Sequence, residues 1–159
     1  MSRNKILPRS DAGAWAARAH RDGKRIVFTN GVFDLIHPGH VRYLAEARGH
    51  GDVLIVAINS DRSVQAVKGP GRPITPDSER AEVLAALAAV DAVVVFDELD
   101  PQAIIDQIHP DVLVKGADWA ADAIIGRETV ESAGGRVVRV GLADGYSTSA
   151  IIRKIKGLD

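Results

Sequence analysis

Two histidines, His37 and His40, stand three residues apart in the stretch FTNGVFDLIHPGHVRYL, with Pro38 and Gly39 between them. With an unperturbed pKa of about 6.5, an imidazole donates a hydrogen bond whether neutral or charged. Pro38 and Gly39 set His40 near the first turn of a helix carrying Val41, Tyr43, Leu44 and Ala47. Free N–H groups and the positive end of the dipole attract an anion there, so the pair suits phosphate oxygens. The same two side chains could instead do no more than satisfy backbone groups of the turn. Zinc fits less well: there is no H-E-x-x-H and no cysteine, and a third ligand would have to be Asp34 or a distant residue. No protein ligand to a metal is expected.

Further polar groups recur downstream. Ser147, Thr148 and Ser149 open the last helical pattern, in DGYSTSAII. Their hydroxyls and amides can face phosphate, or a serine can simply cap the helix. Lys68 stands beside Gly69 and ahead of Arg72 in KGPGRPITP, read as a mobile active-site loop over residues 68–76. A cation there can close over phosphate or stay solvated. Asp34 can orient a substrate, although an aspartate in a turn often bonds only its own backbone.

These residues need a frame. RIVFTN (25–30), DVLIVAI (52–58), AVVVF (92–96), DVLVK (111–115) and RVVRV (136–140) are Val- and Ile-rich runs bounded by Gly, Asp or Asn. Each reads as a buried strand. Helical patterns lie between them, best in TPDSERAEVLAALAAV, where Thr75 would cap, Pro76 would take the first position, and Val83, Leu84, Leu87 and Val90 would share a face. Alternating strands and helices predict a single-domain, three-layer, doubly wound (Rossmann-like) α/β fold around a parallel sheet. Its boundaries are expected at 25–159, with residues 1–24 as an N-terminal helical extension whose helix covers 10–22. In such sheets ligands bind beyond the carboxyl ends of the strands, so NGVFDLIHPGH, NSD, KGADW and DGYSTS should converge.

Composition narrows the classes. With 159 residues, 20 basic against 21 acidic side chains and a formal net charge of −1, the chain has no global field for gripping nucleic acid or an acidic membrane. It has no run near the ~20 apolar residues of a membrane span, no apolar leader and no cysteine, which together predict a cytoplasmic protein. Neither G-x-x-x-x-G-K-[ST] nor G-x-G-x-x-G follows the first predicted strand, which argues against a P-loop kinase or a common dinucleotide enzyme.

Gly31-Val32-Phe33-Asp34-Leu35-Ile36-His37-Pro38-Gly39-His40 resembles the G-x-F-D-x-x-H-x-G-H motif of the cytidylyltransferase-like nucleotidyltransferases, and YSTSAII resembles their C-terminal I-S-S/T-T signature. The similarity runs over about residues 25–155 and is greatest to the branch that adenylylates heptose 1-phosphates. It implies that ATP, accompanied by Mg²⁺, and D-glycero-β-D-manno-heptose 1-phosphate give ADP-heptose and pyrophosphate. It further implies a catalytic set of His37, His40 and Lys68. Nucleotide contacts would come from Asn30, Gly31, Phe33, Gly39, Arg80, Lys115, Gly116, Asp118 and the three hydroxyls at 147–149, with Arg80 on phosphate. Asp34 and Asn59 would meet the sugar phosphate. Trp119, beside the base site, could equally be packing.

Glycerol 3-phosphate cytidylyltransferases, the alternative reading, carry R-T-x-G-I-S-T-T, whereas this chain reads Leu142-Ala143-Asp144-Gly145-Tyr146-Ser147-Thr148-Ser149. The missing arginine weakens the cytidylyl assignment. A regulatory module that binds nucleotide without turnover is a third reading, opposed by the intact His37/His40 and Ser147/Thr148. A separate sugar kinase is expected upstream, and a homodimer is expected because members are commonly dimers.

Overall fold

VLIVAIN is apolar at nearly every position because a parallel strand covered by helices on both sides has no wet face. The computed structural model, which describes residues 2–158, places six strands in one sheet; the run RVVRV, expected to be buried, lies at its edge with only Val140 buried. In chain order the elements are β1 (Ile6–Leu7), α1 (Ala12–Arg21), β2 (Ile26–Gly31), α2 (Pro38–Arg48), β3 (Val53–Asn59), α3 (Asp61–Lys68), α4 (Asp77–Ala86), β4 (Ala92–Phe96), α5 (Gln102–Ile108), β5 (Val112–Gly116), α6 (Arg127–Ser132), β6 (Arg136–Val140) and α7 (Thr148–Lys156). The strand order is β1-β4-β3-β2-β5-β6 and every pairing is parallel.

Alternate residues of each strand feed opposite cores. Val53, Ile55 and Ala57 of β3 pack with Ala16 and Ala19 of α1 and with Ile104, Ile105 and Ile108 of α5. Leu54, Val56 and Ile58 pack on the other face with Tyr43, Leu44 and Ala47 of α2 and with Leu84 and Ala85 of α4. Each fully buried Leu, Ile or Val contributes about 1.5–3 kcal/mol, so the three layers hold one another.

Three expectations shift. Residues 1–24 are more than a helical extension: Ile6 and Leu7 pair with Val93 and Val94 of β4 as an edge strand, and Ala12, Ala16 and Ala19 join the main core. A two-residue strand is too short to leave a periodic signal. The fourth helix starts one residue later than expected, with Pro76 as its N-cap and no side-chain cap from Thr75. Its buried face is Arg80, Ala81, Leu84 and Ala85, while Val83 is 47% exposed. Lys68 ends α3 rather than riding on a loop.

The sheet positions the site through its order. From β2 the chain winds outward through β3 and β4, then returns to place β5 on the other flank of β2. Connections that leave a strand in opposite directions open a crevice beyond the carboxyl ends of that pair.

Candidate active site

The crevice between the ends of β2 and β5 holds a cavity of about 410 Å³. Asn30 and Gly31 of β2 and Lys115 and Gly116 of β5 form its floor, and α2 presents His37, Gly39 and His40. A second hollow of about 250 Å³ shares Phe33, His40, Lys68, Ser147 and Thr148 with the first and adds Asp34, Arg72 and Ser149. The two are lobes of one site: one lined by Lys115, Asp118 and Trp119, the other by the cations Lys68 and Arg72.

His37 is the N-cap of α2, Pro38 follows as its first residue, and the two imidazoles stack with centroids 3.8 Å apart. The His37 N–H donates to His40 Nδ1 at 3.4 Å, which leaves the proton of a neutral His40 on Nε2. Burial, and then the neighbouring His37 charge, lower the His40 pKa to about 4, and burial lowers that of His37. Near pH 7 both rings are therefore neutral donors. The helix end gives less than four free amides: Pro38 has no N–H, and those of His40 and Val41 donate to the His37 carbonyl. Among the described residues, His37 Nδ1 and Asn30 Oδ1 are buried without a hydrogen-bond partner. An unmet buried polar atom costs about 1–3 kcal/mol, a penalty that a polar ligand in this cavity would remove.

Phe33 has φ = 51°, a left-handed conformation that costs a non-glycine residue about 1–3 kcal/mol and persists only where its surroundings over-determine it. Its ring lies 5.1 Å from that of His40. The restraint comes from both sides. The Arg80 guanidinium, fully buried, donates to the carbonyls of Val32 (2.7 Å) and Thr75 (2.8 Å) and to Asp61 Oδ1 (2.8 Å). Asp34 accepts from the N–H groups of Ile74 and Thr75 and from Arg72 Nε, all within 3.0 Å. Burial pushes the Asp34 carboxyl up, but these donors and the Arg72 charge outweigh it, and its pKa falls below the usual value.

On the β5 side, Lys115 is buried with its ammonium 5.0 Å from the centre of the Trp119 ring. Burial lowers its pKa to about 8 against the opposing pull of Asp118. Tyr43, pushed up to about 12 chiefly by burial, shares Thr29 Oγ1 and the Val114 carbonyl and braces α2 against β5. Gly116 leaves room for Asp118, whose Oδ1 would lie 2.6 Å from an added Cβ.

The C-terminal segment closes the rim. Ser147 Oγ caps α7 by accepting from the Ala150 N–H, and the Thr148 hydroxyl donates to the Leu35 carbonyl at 3.2 Å. Two of the three hydroxyls thus anchor the helix, and Ser149 faces the cationic lobe. Tyr146 lies over His37, with ring centroids 6.1 Å apart, and Arg42 lies over Tyr146.

Most of the residues singled out from the sequence converge here: Asn30, Gly31, Phe33, His37, Gly39, His40, Lys68, Lys115, Gly116, Asp118, Ser147 and Thr148 line the larger lobe, and Asp34 and Ser149 the smaller. Two sit elsewhere. Arg80 lies beneath the site and donates to three protein acceptors, and Asn59 donates to Ser63 Oγ at 3.0 Å. The NSD segment therefore supports the site from behind. Sequence reasoning passed over Tyr146 and Arg72 as site residues, although both sit inside motifs it had marked. Among the described residues no group of three His, Asp or Glu side chains could hold a metal ion, and both oxygens of Asp34 are taken. A cation would fit here as one carried by phosphate oxygens and water.

The cytidylyltransferase-like family model matches residues 28–154. Bifunctional protein HldE of Citrifermentans bemidjiense is 53% identical over 139 residues, which are 87% of this chain and 28% of that protein. Its namesake in Koribacter versatilis is 53% identical over 150 residues, 94% of this chain and 31% of that one. This chain spans under a third of the length of these relatives. Among solved structures, the crystal structure of the lipopolysaccharide core biosynthesis protein from Thermoplasma volcanium matches with a TM-score of 0.62 and 28% identity, over 79% of this chain and 100% of that one.

Proposed function

The chain belongs to the cytidylyltransferase-like family, and from that footing we propose that it is an adenylyltransferase joining ATP to D-glycero-β-D-manno-heptose 1-phosphate. A phosphate oxygen of the sugar attacks the α-phosphorus of ATP, a new P–O bond forms, the bond to the β-phosphate breaks, and pyrophosphate leaves with its electrons. The attacking oxygen is already anionic near pH 7, so the protein needs no base. Its tasks are to align the two oxygens and to stabilise spread charge.

The observation that carries this reading is the stacked His37–His40 pair, with His40 opening into both lobes. A neutral His40 donates from Nε2 to the phosphate where charge develops, and the approach of that phosphate raises its pKa and strengthens the donor. His37 Nδ1 and Asn30 Oδ1 gain partners from the ligand. Lys68 and Arg72 line the lobe suited to the pyrophosphate end, and Lys115, Asp118 and Trp119 the lobe suited to base and ribose. Mg²⁺ would arrive on the triphosphate, where it neutralises charge.

Leu142, 54% exposed on the cavity rim, stands where the glycerol 3-phosphate cytidylyltransferase pattern has arginine, which favours the adenylyl reading. The sugar 1-phosphate would be supplied by a sugar kinase, on a separate polypeptide or another part of a longer one. The test is a matrix of ATP and CTP against heptose 1-phosphate and glycerol 3-phosphate, read as pyrophosphate release with Mg²⁺ present. Highest kcat/KM for ATP with heptose 1-phosphate is expected. Highest kcat/KM for CTP with glycerol 3-phosphate would overturn the substrates but keep the chemistry, and no release from any pair would leave another phosphate substrate or a binding module.

A further inference from the structure

We infer that Arg80 is a positioning residue for the transfer reaction: it holds the strained turn at Phe33 and the 72–75 segment in one fixed relation, and so sets His40 without touching the nucleotide. The inference rests on the adenylyltransferase reading for its kinetic consequences and on geometry for the rest. Nε, Nη1 and Nη2 of Arg80 each meet a different acceptor: the Thr75 carbonyl, the Val32 carbonyl and Asp61 Oδ1. Val32 is the residue before Phe33, and Thr75 is the residue whose N–H is held by Asp34, the residue after Phe33. Phe33 is thereby clamped on both sides to the same short segment, which also carries Arg72 into the cationic lobe. The Phe33 ring in turn lies against His40.

Asp61 steadies the guanidinium from the far side. Its own N–H donates to Asp77 Oδ2 while the Asp77 N–H donates to Asp61 Oδ1, so the starts of α3 and α4 are cross-tied where Arg80 docks. A planar fork with three fixed donor directions makes this arrangement, and a lysine, with one rotatable ammonium, cannot reproduce it.

The experiment uses Arg80→Lys, Asp61→Ala and the double variant. Their readouts are kcat and KM, ATP and AMP affinity from Trp119 fluorescence, and amide hydrogen exchange. Positioning predicts that Arg80→Lys lowers kcat by about tenfold or more while ATP and AMP affinities each change by less than about threefold. Asp61→Ala should move kcat the same way, and the double variant should lose less than the product of the two effects. Exchange at Phe33, Asp34, Ile74 and Thr75 should quicken in both single variants. If Arg80→Lys fails to fold, Asp61→Ala carries the same test, because that side chain is 46% exposed. A loss of ATP affinity of about tenfold with AMP affinity intact would make Arg80 a phosphate ligand and overturn the inference. So would wild-type kcat in Arg80→Lys, or unchanged exchange at the four amides. If the wild-type protein releases no pyrophosphate with any substrate pair, the function fails on its own, and the exchange data still decide the role of Arg80.

Discussion

The His37 and His40 rings stack at 3.8 Å with their planes inclined by 23°, so the site's two imidazoles cannot both be charged without facing each other's charge at van der Waals distance. In the free protein the pair is neutral near pH 7, and a phosphate supplies the counter-charge that lets one ring take a proton. His40→Ala should therefore lower kcat by about 10² to 10³, the scale for a lost transition-state donor. The half-buried ring should cost only about 1 kcal/mol of stability, a fall in Tm of about 2–4 °C. Wild-type turnover in a folded variant would remove His40 from the mechanism.

The same pair sets an acid response. The His40 pKa is depressed in the folded state to about 4, whereas the unfolded chain takes the proton near 6.5, so the unfolded state binds more protons in between. The stability this group contributes is complete above about pH 6.5 and is lost as pH falls towards 4, at no more than about 1.4 kcal/mol per pH unit. His40→Gln should flatten that stretch of a Tm-against-pH curve, and an unchanged slope would show that His40 is not held neutral.

Lys115 pits affinity against stability. Its pKa is lowered to about 8 because its charge is desolvated in the free protein, so Lys115→Met should raise Tm while weakening the nucleotide site. A loss in kcat/KM for ATP of about tenfold or more, with a stabilisation of about 1–3 kcal/mol, is the expected pair of results from steady-state kinetics and thermal melts. A variant that is less stable than wild type would contradict the buried, under-compensated ammonium.

Asp34 is a fastener for the 72–75 segment. Asp34→Ala would strand the N–H groups of Ile74 and Thr75 and the Arg72 guanidinium, at a cost of about 2–5 kcal/mol. Because the folded-state pKa is depressed, the stabilisation exists above the unfolded value of about 3.9 and disappears as pH falls through the folded one. Amide exchange at Ile74 and Thr75 should quicken by orders of magnitude in the variant, and protection equal to wild type would refute the fastening role.

Gly39 is where the backbone leaves no room. A Cβ there would lie 2.9 Å from the His37 ring and 3.0 Å from Tyr146 Cβ. Gly39→Ala should push His37 and Tyr146 apart and lower kcat about tenfold or more while the core, which it does not enter, keeps Tm within a few degrees. A crystal structure of the variant with both rings unmoved would defeat the prediction.

What the amino-acid sequence determined by itself was local. Four of the six strands could be read because a run buried on both faces is apolar at most positions, β6 from its valines although Arg136 and Arg139 are exposed, and the His37–His40 pair because strand, glycine turn and helix start follow one another within a dozen residues. Short contour separation makes the neighbours of such residues computable from backbone preferences alone. Which strands lie side by side was not legible, since pairing β2 with both β3 and β5 is a choice among apolar runs of nearly equal composition. The same limit hid the roles of Asp34 and Arg80. Asp34 meets Ile74 across 40 residues and Arg80 meets Val32 across 48, and nothing in either local pattern separates a charge aimed at a ligand from one aimed at distant backbone. Tertiary structure supplied their partners, because a buried charge must find its acceptors or donors wherever packing brings them: for Arg80 the carbonyls of Val32 and Thr75 and the Asp61 carboxylate, for Asp34 the amides of Ile74 and Thr75 and the Arg72 guanidinium.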